Sequence, residues 1–142
     1  GEFSKANFHY KKAFELNPYN AHSIRSLGIN SFLLGNFKKS EYYLKISIQP
    51  NIQFDLKKTI SYHYLAILFS NQKRINEAIK MFEISLALNP NYKEAHLNFA
   101  VLLGLLNQSD KAILHFKEAL RLGVKKEIIQ DLLSQLQISL NI

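Results

Sequence analysis

The sequence predicts an all-α fold, a solenoid of antiparallel helix pairs. Three observations carry this expectation. Small residues recur at Ala6, Ser40, Ala78 and Ala112, at intervals of 34, 38 and 34 residues. Large apolar residues (Tyr10, Leu44, Phe82, Phe116) and a second small series (Ala13, Ser47, Ser85, Ala119) keep the same three intervals. Leu27, Leu65 and Phe99, each followed by Gly or Ala at 28, 66 and 100, repeat at 38 and 34. Within each period the apolar residues have helical spacing. Tyr62, Leu65, Ala66 and Phe69 form one stripe, and Ala78, Phe82, Ser85 and Leu86 form another. Turn-prone segments separate the stripes at Gly35-Asn36, Asn71-Gln72-Lys73 and Asn107-Gln108-Ser109. Leu16-Asn17-Pro18, Gln49-Pro50 and Leu88-Asn89-Pro90 close the second helix of each unit, because proline lacks the amide hydrogen and disfavours helix before it. Each unit thus reads as helix, tight turn, helix. Small residues on facing helices let the two backbones approach closely.

These residues identify a resemblance. The chain resembles the tetratricopeptide repeat (TPR), a 34-residue helix pair with a Leu-Gly, Ala, Phe, Ala, Pro signature. With residues 21, 59 and 93 at repeat position 1, Leu27-Gly28, Ala78, Phe82, Ser85 and Pro90 fall on signature positions. The chain departs from the pattern in three ways. Ile24, Tyr62 and His96 stand where Trp is usual, Pro50 comes two residues early, and Val124 replaces the last Pro.

The resemblance implies a right-handed superhelical solenoid of about three and a half units plus a capping helix. Residues 4–18 are expected to be a half repeat, a second helix whose first helix is absent. Residues 21–50, 59–92 and 93–126 are expected to be full repeats. Residues 51–58 are an insertion holding Ile52, Phe54 and Leu56, expected to extend the next helix by more than a turn. Residues 127–140 are expected to form the capping helix, with Ile128, Ile129, Leu132, Leu133, Leu136 and Leu140 apolar.

Composition narrows the chemistry. Apolar residues at 47% and charged residues at 20% suit a packed domain. The absence of cysteine removes disulfides, thiolate metal sites and a thiol nucleophile. No run of 18 apolar residues occurs, so no membrane span is expected. No glycine-rich phosphate loop or nucleophile elbow is present. The five histidines include no pair at i, i+4, so no metal dyad on one helix is expected, and no cofactor. The three aspartates are widely separated, and Ser109-Asp110 reads as a helix start.

The net charge of +7 comes from 18 Lys and Arg against 11 Asp and Glu. Its doublets (Lys11-Lys12, Lys38-Lys39, Lys57-Lys58, Lys73-Arg74, Lys125-Lys126) map to helix ends, turns and second helices rather than to one face. Only three of the basic residues are Arg, the side chain suited to bidentate phosphate contacts, so a nucleic-acid groove is not expected.

The resemblance also implies that the first helices line a concave groove through repeat positions 2, 5, 6, 9, 12 and 13. The candidate partner-binding residues are His22, Arg25, Ser26 and Ile29 in the first full repeat. In the second they are Ile60, His63, Tyr64 and Ile67, and in the third Glu94, Leu97, Asn98 and Val101. This surface is mostly apolar and suits an apolar or amphipathic segment, oriented by Arg25, His63, Tyr64, Glu94 and Asn98. A charged carboxylate clamp known in the family matches at one position of five, Arg25. The expected function is therefore a non-enzymatic protein-interaction scaffold with a protein or peptide partner. The alternative is a non-catalytic, substrate-positioning arm of a larger enzyme. Self-association is also expected, through the apolar surface of residues 4–16 or through the C-terminal helix.

Overall fold

The computed structural model describes residues 1–52 and 55–139. Phe54 and Leu140, two of the apolar residues singled out above, lie outside them. The described residues form eight helices and no strand: α1 (Glu2–Leu16), α2 (Ala21–Leu33), α3 (Phe37–Ser47), α4 (Lys58–Asn71), α5 (Ile75–Leu88), α6 (Lys93–Leu105), α7 (Ser109–Arg121) and α8 (Lys126–Gln135). No helix among the described residues is long and apolar enough to cross a membrane. The chain divides into two compact units, Gly1–Leu88 and Asn89–Ile142.

In the first unit α2 pairs with α3 and α4 with α5, and α1 packs on α2. The repeating small residues act as expected at the α2–α3 seam. A Cβ on Gly28 would lie 2.7 Å from Leu44 Cγ, so the glycine lets Leu44 sit directly on the α2 backbone. Leu44, Leu65, Ala66, Ala78 and Phe82 are buried around these seams. Hydroxyls add bonds that hydrophobic spacing does not report. Ser47 Oγ donates to Leu44 O and lies 2.8 Å from Ser61 Oγ, joining α3 to α4. Thr59 Oγ1 donates to Ser85 O, and Ser85 Oγ donates to Thr59 O at 2.9 Å, joining α4 to α5.

The insertion does not lengthen a helix. Residues 51, 52 and 55–57 lie outside helices, and α4 starts only at Lys58. Two interactions outweigh helix propagation here. Ile52 turns inward and is buried with Ala21 and Ile24, against Phe14, Tyr43 and Ile46. Asp55 accepts the Lys57 backbone N–H through Oδ1 and pairs with the Arg25 guanidinium through Oδ2. A carboxylate bonded to the amide two residues on favours a turn over a continuing helix.

In the second unit α6 pairs with α7, and α8 packs on α7. Ala95, Phe99, Ala100, Leu103, Ala112, Phe116 and Ala119 are buried, as the repeat requires. The final helix is shorter than expected and stops at Gln135. Gln137 adopts φ 56, and Ile138 N–H returns to Leu133 O. That reversal closes the helix and buries Ile138. Gly104 accommodates the reversal, because a Cβ there would come within 2.7 Å of Leu136 Cδ1.

Candidate functional site

In the first unit α2 and α4 lie side by side, and the candidate groove residues sort by burial. Ser26, Ile29, Ile60, Tyr64 and Ile67 are half-buried. Phe32, one helical turn beyond Ile29, is also half-buried. Its ring meets Tyr64 edge-on at 5.5 Å, which joins the two first helices. His22, two turns before Ile29 on α2, is exposed and lies edge-on to Tyr10 of α1 at 5.8 Å.

Arg25 and His63 stand apart from that half-buried set. Arg25 is only 4% exposed, and its guanidinium is paired with Asp55. Burial alone would raise the Asp55 pKa. The Lys57 amide and the Arg25 guanidinium outweigh it and hold the carboxyl below its ordinary range. Arg25 is thus neutralised by the chain's own loop, which removes the one match to a charged clamp. The sequence could not place Asp55, because it belongs to the insertion and lies 30 residues away. His63 is 4% exposed, with its ring 5.5 Å from Tyr64 and 6.1 Å from Phe82.

In the second unit Leu97, Asn98 and Val101 are half-buried along α6, while Glu94 and Leu105 are exposed. The same unit holds a polar pair that a search for i, i+4 histidines misses. His96 on α6 and His115 on α7 bring their Nδ1 atoms within 2.9 Å. His96 Nε2 lies 2.8 Å from Pro90 O, which can only accept. His96 Nε2 therefore carries the proton, its Nδ1 accepts, and His115 Nδ1–H donates. The Phe99 ring packs 4.7 Å from His115. Burial, with a contribution from His96, lowers the His115 pKa from its ordinary value. The Nδ1 lone pair of His96 is used within the pair. Among the described residues no group of three or more His, Cys, Asp or Glu is placed to hold a metal ion.

A second polar cluster ties α3 to α5. Arg74 lies over the Phe69 ring at 4.0 Å, bonds Glu41 at 2.9 Å and forms a two-toothed pair with Glu77. Burial alone would raise the Glu41 pKa, but Lys45 and Arg74 hold it below the usual value. This cluster is structural and uses no groove residue.

The antiparallel pairs and small-residue seams define a helical repeat protein. No protein-family model matches the sequence, and no curated protein matches it. Solved structures match its fold. The chain is 20% identical to Pseudomonas aeruginosa pilF, with a TM-score of 0.79, covering 89% of this chain and 56% of that one. It is 22% identical to TTC0263, a TPR protein of Thermus thermophilus, with a TM-score of 0.73, covering 96% of this chain and 73% of that one. It is 18% identical to YrrB, described as a TPR protein with an unusual peptide-binding site, with a TM-score of 0.67, covering 86% of this chain and 61% of that one. The chain has the tetratricopeptide-repeat fold. It spans little more than half the length of pilF.

Proposed function

We propose that this chain is a non-enzymatic protein-interaction module that holds an apolar or amphipathic partner segment along its first helices. The observation that carries the proposal is the row of half-buried Ile29, Phe32, Ile60, Tyr64 and Ile67 on adjacent α2 and α4, beside an Arg25 already neutralised by Asp55. Apolar side chains left half-exposed on neighbouring helices suit helix-in-groove or extended-peptide binding. Leu97 and Val101 give α6 the same character, with Asn98 and Glu94 as its polar groups. That YrrB, of like fold, is described as having a peptide-binding site supports the same reading.

Binding then depends on apolar anchors in the partner rather than on its terminal carboxylate. The test is titration with a peptide selected on this chain from a random display library. Ile29→Ser and Ile67→Ser should each weaken it by about tenfold, since interface energy concentrates in a few buried anchors. Amidating the peptide's C-terminus should leave affinity unchanged. Loss of binding on amidation, with both variants behaving like the parent, would overturn the proposal in favour of a charged clamp.

A further inference from the structure

Phe32, Leu33, Leu34 and Phe37 carry an apolar run off the end of α2, through the turn and into α3. Their counterparts 38 residues later are Ser70, Asn71, Gln72 and Ile75. The fold therefore does not require apolar groups throughout this turn. Leu33, Leu34 and Phe37 remain 52%, 49% and 46% exposed. The Phe32 ring touches Phe37 at 5.8 Å and Tyr64 at 5.5 Å, so the turn continues the row on the first helices.

An open depression of about 600 Å³ lies over the turn, lined by Leu34, Gly35, Asn36, Phe37 and Lys38. Gly35 sits at φ +74, and a Cβ added there would meet nothing within 4 Å. Lys38 lines the depression, exposed Lys39 follows it on α3, and the first turn of α3 has no acidic residue. Glu41, the next carboxylate along α3, is already shared between Lys45 and Arg74. The patch thus presents uncovered apolar surface with a rim of one sign of charge. Apolar surface of this kind, edged by polar groups, marks interaction sites in soluble proteins.

We infer that the α2–α3 turn is a docking surface for a protein segment that carries an aromatic or leucine anchor beside acidic residues. The anchor fills the depression between Leu34 and Phe37, and the acidic residues lie over Lys38 and Lys39. The inference rests on the peptide reading of the first helices and extends it past their ends. A protein segment fits better than a membrane surface, because the charged rim is two lysines wide and the patch is continuous with Phe32 and Tyr64.

The test is selection from a random peptide display library on the intact chain, followed by titration of the enriched peptides. These should combine Phe, Trp or Leu with net negative charge. Phe37→Ser should weaken them by about tenfold, the scale for losing one anchor. Lys38→Glu with Lys39→Glu should weaken them by about fivefold, within the range of two exposed ion pairs, and less so at high salt. Both changes are at exposed positions, and circular dichroism checks that the helices persist. Neutral or basic peptides lost in Ile67→Ser but kept in Phe37→Ser would leave the groove reading standing and overturn this one. Failure to enrich any peptide would overturn both. Adsorption to phosphatidylserine vesicles that is lost in Phe37→Ser, without peptide selection, would assign the surface to lipid instead.

Discussion

The α2–α3 pair and the α6–α7 pair follow one repeat pattern, yet different chemistry closes their seams. In α2–α3 the repeat positions hold Ile24 and Tyr43, and the seam is apolar, with Ile24 fully buried and Tyr43 packed on its cluster. In α6–α7 the same two positions hold His96 and His115, and a ring-to-ring hydrogen bond of 2.9 Å joins them. At the next series Gly28 lies under Leu44, whereas Ala100 is the equivalent residue in α6. The repeat therefore specifies volume and close approach at each position. It leaves open whether the volume is filled by apolar or by hydrogen-bonded groups.

The largest effect should come from filling the closest approach. Gly28→Val places a branched side chain where Leu44 Cγ would be 2.7 Å away. Overpacking of this kind costs about 2–3 kcal/mol, and denaturant titration should show it. The double variant with Leu44→Ala should cost less than the sum of the two single changes. Additive costs would mean that Gly28 and Leu44 do not form the contact that sets this seam.

A smaller effect of opposite sign is expected at Ser40. Its Oγ is fully buried and has no hydrogen-bond partner among the described residues, while Ala6, Ala78 and Ala112 occupy the equivalent positions. Ser40→Ala relieves an unsatisfied hydroxyl and should stabilise the chain by about 1 kcal/mol. A destabilised variant would show that the hydroxyl is bonded in solution.

The contrast between the seams sharpens with pH. Burial and the neighbouring His96 hold His115 below 6.5 in the folded chain, so the unfolded chain takes up the proton first. The His115 contribution is therefore complete above about pH 6.5 and is lost as pH falls through that value. Melting temperature should drop between about pH 7.5 and pH 5.5. The drop should shrink in the double variant His96→Ile, His115→Tyr, which carries the α2–α3 residues. An unchanged drop would place the titrating group elsewhere. Asp55 acts at lower pH. Its carboxyl is held below the usual range, so the pairing with Arg25 stabilises above that range and is lost as acid protonates it.

Helix pairs, turns and seams were legible because apolar periodicity and small-residue spacing are local in sequence. Phe82, Leu65 and Ala78 fall in the core where the pattern places them. The insertion was not legible. Ile52, Phe54 and Leu56 read as a helix extension, whereas the burial of Ile52 against Ala21 and Ile24 and the pairing of Asp55 with Arg25, 30 residues away, keep residues 55–57 out of α4. The histidine pair escaped for a related reason. A search at i, i+4 finds metal sites on one helix, whereas His96 and His115 meet across two helices, 19 residues apart. The half-buried apolar residues Ile29, Ile60 and Ile67 could be named from the repeat register. The burial of Arg25 could not, because its counter-ion lies in the segment that breaks that register.

The most direct measurement of the central claim is amide chemical-shift mapping of the chain with a library-selected peptide. If the first helices hold the partner, the largest shifts fall on α2 and α4 at Ser26, Ile29, Phe32, Ile60, Tyr64 and Ile67. Shifts on α6 should fall at Leu97, Asn98 and Val101. The second helices α3, α5 and α7 should change little beyond the first turn of α3. Shifts concentrated on the second helices, with Ile29, Tyr64 and Ile67 undisturbed, would contradict the claim.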